Sequence, residues 1–137
     1  MAFNFLAIGN SSPKLAKIFI NLWAPYLGAG IKINKMATDY KFIEVGLKQR
    51  WYNTNLVGTH FGGSIYAMVD PFYMFMLIKN LGDKYIVWDK AAEINFINPG
   101  KGKLTTTFTY TDQEIQCEND TRIISQQIPV SFYLKMN

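Results

Sequence analysis

The chain is poor in the residues from which most catalytic and metal sites are built. Its 137 residues include one histidine, His60, and one cysteine, Cys117. A single cysteine excludes an internal disulfide, and with it a secreted disulfide scaffold. One of each cannot assemble a multi-His or Cys-rich zinc site, so no metal is expected. Charge is scarce too: 18% of residues are charged, against 49% hydrophobic and 15% aromatic. That balance excludes a disordered chain and a coiled coil. No apolar run reaches the roughly 20 residues of a spanning helix, and the richest one, Ser64 to Ile78, is interrupted by Asp70-Pro71. The opening stretch MAFNFLAIGNSS has no positive segment and too short an apolar run for a secretory leader. A cytoplasmic chain without membrane insertion is expected. Chemistry is left to carboxylates, hydroxyls, amides and backbone, and no cofactor is expected.

The length fits one domain, 1–137, able to bury a core. The net charge of +4 is dispersed. Residues 1–38 hold Lys14, Lys17, Lys32 and Lys35 and no acid, while 112–120 hold Asp112, Glu114, Glu118 and Asp120 and no base. Without a dense basic run, a small polyanion is as good a partner as nucleic acid, and none of the latter is expected.

Ser12 followed by Pro13 reads as an N-cap and a first helical position. Leu15, Ile18, Phe19, Leu22 and Trp23 follow at helical spacing, which predicts a helix over about 12–24 laid on a core rather than a membrane anchor. Ile43, Val45 and Leu47 alternate with polar neighbours, a strand with one wet face. After the loop Asn53 to Gly58, Gly62-Gly63 open a long apolar segment that ends in Asn80, Leu81 and Gly82, which predicts a central helix over about 62–81. Tyr85 to Asn98 and Leu104 to Thr111 are β-rich, Asp112 to Thr121 reads as an acidic loop, and Arg122–Asn137 holds two further β-prone pieces split near Pro129. The order predicts an α+β domain: an antiparallel sheet around one long central helix, with an extra N-terminal helix.

Function concentrates near the only histidine. Two glycines at a helix start leave backbone N–H groups open to close approach, and the helix terminus adds partial positive charge, an oxyanion site. Asp70 lies seven residues after Gly63, on a face with Tyr66, Ala67 and Met74. A carboxylate on an apolar face is costly unless paired or working, and desolvation would turn it into a base. Two helical turns span roughly 10 Å, too far for Asp70 to serve a carbonyl at its own glycines. Two antiparallel copies would bring Asp70 of one to Gly62-Gly63 of the other, so a two-fold dimer with shared sites is expected. A Ser64–His60–Asp70 triad is rejected on the same distance.

The pattern of Asn55, then Gly62-Gly63 at a helix start, then Asp70, resembles hotdog-fold acyl-CoA thioesterases of the phenylacetyl-CoA type. The string from Gly58 to Tyr73, GTHFGGSIYAMVDPFY, is similar to an uncharacterised hotdog family, as are YIVWDKAA from Tyr85 and FINPG from Phe96. The resemblance spans about residues 20–111 and implies hydrolysis of an acyl-CoA or acyl-carrier thioester by a homodimer or a dimer of dimers. It implies Asp70 as base or nucleophile, Gly63 with Gly62 as the oxyanion hole, and Asn55 as the group that orients water or substrate. Thr59, His60 and Ser64 are candidate substrate contacts as well as loop and capping residues. Lys101 and Lys103, in a Gly-rich turn, are candidates for the CoA phosphates. Phe61 stands where the usual motif has histidine, and the part after Thr111 is short for such a sheet. Both departures motivate an alternative, a non-catalytic acyl-binding module of the same fold.

Overall fold

A computed structural model describes residues 12–82, 85–89 and 92–120. Helix α1 (Pro13–Leu22) begins where expected, with Ser12 as an extended N-cap and Ala16 N–H donating to its carbonyl at 3.0 Å. Trp23 turns the chain into the short α2 (Ala24–Ala29), which ends on Gly30 in the left-handed region, φ +78°. Gly30 has a second constraint, since a Cβ there would stand 2.4 Å from Asn53 Nδ2. Strands β1 (Ile31–Met36) and β2 (Phe42–Lys48) form a hairpin, and β3 (Lys103–Thr109) pairs with the other edge of β2, both antiparallel.

The expected alternation of β2 holds. Ile43, Val45 and Leu47 are all buried, and their register partners are Phe108, Thr106 and Leu104 on β3. This face packs against helices α3 (Gly62–Val69) and α4 (Phe72–Leu81), whose Ile65, Met68, Phe72, Phe75, Met76 and Leu77 complete the core. Phe72 lies 5.1 Å from Phe108 and 6.1 Å from Tyr26 between ring centroids, so aromatic contacts run from α2 to β3.

The single central helix expected over 62–81 is two helices. Asp70 and Pro71 keep helical backbone angles, yet they separate α3 from α4. The physical reason is Pro71, which has no N–H to offer the carbonyl of Ala67 one turn earlier. Tyr26 fills the gap from α2, its hydroxyl donating to Ala67 O at 3.3 Å. Burial first, and the Asp70 charge second, push the Tyr26 phenol well above its ordinary range, so it stays a neutral donor. Tyr26→Phe leaves the Ala67 carbonyl unsatisfied and is expected to cost about 1 kcal/mol, read as a lower urea midpoint with unchanged m-value.

Three further expectations are corrected. The apolar stripe of α1 does not lie on the core: Ala16 and Ile20 are buried, while Leu15, Ile18, Phe19 and Leu22 are exposed. Asn21 and Lys17 set this orientation by bonding the open edge of β1. Asn21 accepts from Ile33 N–H at 2.7 Å and donates back to Ile33 O at 3.2 Å, and Lys17 donates to Asn34 O. The described part of 85–98 forms no strand and pairs with neither outer edge of the three-stranded sheet; Ile86 and Trp88 are 98% and 84% exposed. Asp112–Asp120, expected as loop, is helix α5. Thr111 and Glu114 form a capping box: Thr111 N–H and Oγ1 donate to Glu114 Oε2 at 2.7 and 2.8 Å, and Glu114 N–H donates to Thr111 Oγ1 at 3.2 Å. These bonds hold the Glu114 carboxyl below its usual range. Cys117 therefore sits in a helix. The β-prone pieces expected within Arg122–Asn137 lie outside the described residues.

Candidate active site

The loop that delivers α3 is built by two asparagines. Asn53 is buried; its Nδ2 donates to Ala29 O and Lys48 O, both at 2.9 Å, and its Oδ1 accepts from Arg50 N–H at 2.6 Å. One side chain thereby ties α2, β2 and the loop together, and its carbonyl accepts from Phe61 N–H at 3.0 Å just before the helix. Asn55 spends its whole carboxamide locally. Its Oδ1 accepts from Val57 and Thr59 N–H at 3.1 and 2.9 Å, while its Nδ2 donates to Thr59 Oγ1 at 2.7 Å and His60 O at 3.2 Å. As placed, Asn55 shapes the loop and has no donor left for water or substrate.

Thr59, His60 and Ser64 are buried. The imidazole of His60 donates from Nε2 to Gly102 O at 2.9 Å, its backbone N–H donates to Gly100 O at 2.9 Å, and its buried Nδ1 has no partner. His60 thus staples the loop to the turn that carries Lys101. Gly100 permits the fit, since a Cβ there would meet Leu104, Ile65 and the imidazole within 3.5 Å. Gln49 secures the turn from β2, accepting from Gly102 N–H at 2.9 Å while its own N–H donates to Gly102 O at 2.8 Å. Through these bonds Lys101 and Lys103 reach the same end of the domain as Gly62, and both are exposed. Lys48, directly opposite Lys103 in the ladder, is exposed as well. Like charges at such a pair repel, and an anion would relieve them.

At the start of α3 the Phe61 carbonyl accepts the N–H groups of Ser64 and Ile65 at 3.0 and 3.3 Å. The N–H groups of Gly62 and Gly63 find no acceptor among the described residues. Aromatic rings crowd both glycines. A Cβ on Gly63 would lie 2.4 Å from Phe61 Cε1, and one on Gly62 would lie 3.2 Å from Phe96 Cζ. Both rings are half exposed. A side chain at either position would displace a half-exposed ring, and the pair of open amides is bordered by phenyl rings.

Asp70, at the junction of α3 and α4, is exposed rather than buried on an apolar face. Desolvation falls instead on its neighbours. The Tyr66 hydroxyl donates to Asp70 from one helical turn earlier, and its phenol is raised by desolvation first and by the Asp70 charge second. Asp89, in the extended segment, is an exposed residue whose carboxyl is nonetheless raised, first by partial loss of water and then by the Asp70 charge. A carboxyl raised in the folded state stabilises below its unfolded pKa, and that contribution is lost as pH rises through the folded pKa. Asp89→Asn is expected to raise the melting temperature at about pH 7 and to leave it unchanged at about pH 3.

Of the residues brought together here, Gly62, Gly63 and Asp70 are candidates on their spacing, whereas Tyr66, Asp89, Lys48 and Phe96 are not among the site candidates that the sequence offers. The i, i+4 spacing of Tyr66 and Asp70 was the available signal for one of them. The other three depend on register and on a segment without ladder bonds, which no local pattern reports.

Two solved structures share this fold at low identity, both from Pseudomonas aeruginosa. One is PA5026, a protein of unknown function described as a probable thioesterase, with a TM-score of 0.60, 14% identity, and 76% of this chain and 69% of that one covered. The other is the conserved protein PA5202, with a TM-score of 0.51, 17% identity, and 63% and 68% covered. No curated protein matches. A model of a domain of unknown function, DUF4442, matches residues 12–135, nearly the whole chain. The mixed helices and three-stranded antiparallel sheet described above are thus the fold shared with PA5026 and PA5202, and the chain belongs to the DUF4442 family.

Proposed function

We propose that the protein is a hotdog-fold thioesterase that hydrolyses acyl-CoA or acyl-carrier thioesters at sites shared by two copies. The observation that carries this reading is the pair of unclaimed N–H groups at Gly62 and Gly63, beside the lysines Lys48, Lys101 and Lys103. Such amides, fixed at a helix N-terminus, stabilise negative charge developing on a carbonyl oxygen. The lysines suit the phosphates of a CoA or carrier arm. The half-exposed rings of Phe61 and Phe96 offer apolar surface to the acyl group.

Asp70 supplies the remaining group from the partner copy, because along its own helix it stands roughly 10 Å from Gly63. Its carboxylate takes a proton from water while the water oxygen attacks the thioester carbonyl. The electron pair of the carbonyl moves to oxygen, held by the two amides, then returns to expel the thiolate, which takes up the proton that Asp70 removed from water. The products are a carboxylic acid and a thiol. The described residues of 85–98 make no ladder bonds, and Ile86, Trp88 and Ile97 among them are open, which suits an edge that a second copy covers.

A second reading keeps the pocket without turnover. His60 favours it, since an imidazole bonded to Gly102 O brings no acid–base chemistry to the open amides. A screen of acyl-CoA chain lengths, followed by thiol release and by melting shifts, separates the two. Release with at least one chain length supports the enzyme; a raised melting temperature without release supports the binding module.

A further inference from the structure

Helix α1 has an apolar arc too wide for the core to cover. One half, Ala16 and Ile20 with half-buried Trp23, packs inward. The other half, Leu15, Ile18, Phe19 and Leu22, stays between 44% and 63% exposed. Exposure is built in, because Asn21 and Lys17 lock the opposite side of the helix to the backbone of β1 and prevent it from rolling. The next helix adds an exposed Leu27.

Charge selects what covers this face. From Ser12 to Thr38 the chain has Lys14, Lys17, Lys32 and Lys35 and no Asp or Glu; Lys17 is held by the Asn34 carbonyl and Lys35 pairs with Glu44 at 3.4 Å, which leaves Lys14 as the charge beside this face. Lys14 is exposed and lies four residues before Ile18, at the border of the apolar arc. A second copy docked on a two-fold that runs along the helix would set Lys14 near its own image, like charge against like. An anionic lipid surface accepts the apolar side chains and Lys14 together. At ten residues, α1 is about 15 Å long, enough to lie in a membrane interface, and no described helix is long and apolar enough to cross one.

We propose that the outer face of α1 docks on an anionic membrane surface. Leu15, Ile18, Phe19 and Leu22 enter the boundary between headgroups and acyl chains, and Lys14 remains among the headgroups. This inference does not depend on the catalytic reading, which concerns the α3 end of the domain.

The test is flotation of the full chain with phosphatidylcholine vesicles, with and without phosphatidylglycerol. The chain is expected to float with the anionic vesicles and to be released by salt. Phe19→Asp combined with Leu22→Asp is expected to lower the bound fraction at least about tenfold while melting stays at or above wild type. Lys14→Glu is expected to weaken binding to anionic vesicles only. The proposal is overturned if the wild type does not float with anionic vesicles, or if the double variant binds as well as wild type. It is also overturned if the double variant lowers the melting temperature, meaning that the chain itself covers the face, or halves the mass by light scattering, meaning that a second copy does.

Discussion

Asp70→Asn is expected to lower thioester hydrolysis by about three orders of magnitude, the usual contribution of a positioned general base, and to leave the melting temperature at or slightly above wild type. The structural half of this expectation follows from where Asp70 sits. It is exposed, so an amide of the same shape adds no buried polar group. Its one described partner, the Tyr66 hydroxyl, still finds an acceptor in the Asn Oδ1. Removing the charge relieves Asp89, whose carboxyl the Asp70 charge helps to raise. The chemical half follows from the amide having no basic oxygen to take the proton of water. Thiol release over the acyl-CoA panel, beside thermal melting of both proteins, is the measurement. Equal rates for wild type and variant would remove Asp70 from the mechanism.

The second large effect concerns stability. Asn53→Ala is expected to cost about 3 kcal/mol, because two carbonyls and an N–H lose their partner at a buried site. The side chain bridges Ala29 O, Lys48 O and Arg50 N–H, and it occupies the space that Gly30 leaves open. Asn53→Asp is the sharper control. A carboxylate keeps the acceptor but cannot donate, so it faces the two carbonyls with its charge. It is expected to cost at least as much as alanine. Urea unfolding checks both, and a loss under about 0.5 kcal/mol, the range of ordinary surface changes, would show that this residue does not hold the loop. The effect reaches the site, since the same loop sets Phe61 and the first amides of α3.

Local pattern reported what local physics decides. The alternation of Ile43, Val45 and Leu47 identified β2 because one face of that strand is buried along its whole length. Ser12-Pro13 marked the start of α1 because capping involves only neighbours in sequence. Periodicity marked an apolar stripe on α1 but not the side of the helix that packs, since of that stripe only Trp23 lies against the core. That choice was made by Asn21 and Lys17 reaching the edge of β1, a contact between elements. Two stretches carry conflicting local signals. Asp112 to Asp120 has the composition of a loop, yet Thr111-x-x-Glu114 is a helix start, and the capping bonds outweigh composition. Pro71 announced a broken helix, while the length of the apolar segment argued for an unbroken one.

The segment 85–98 shows the limit from the other side. Its residues favour strand, but a strand exists only beside another, and pairing is not a property of the segment itself. Among the candidate site residues, the separation of Gly62, Gly63 and Asp70 was legible because helix geometry converts spacing into distance. Thr59, His60 and Asn55 were legible as members of the loop, but not as its internal hydrogen-bonding groups. Their partners are close in sequence for Asn55 and forty-two residues away for the His60 imidazole, whose Gly102 contact depends on the fold.

The central claim, that each site takes Asp70 from one copy and the Gly62-Gly63 amides from the other, is tested most directly by mixing subunits. Gly63→Ala forces the Phe61 ring to move from a position 2.4 Å away, which disturbs the amide pair while leaving Asp70 intact. Asp70→Asn leaves the amides intact and removes the base. Each variant alone is expected to be nearly inactive. Unfolded and refolded together, they form mixed dimers in which one of the two sites combines an intact Asp70 with an intact Gly63, so thiol release is expected to return to about a quarter of wild type. A refolded mixture that forms dimers and remains as inactive as the separate variants would contradict the shared site.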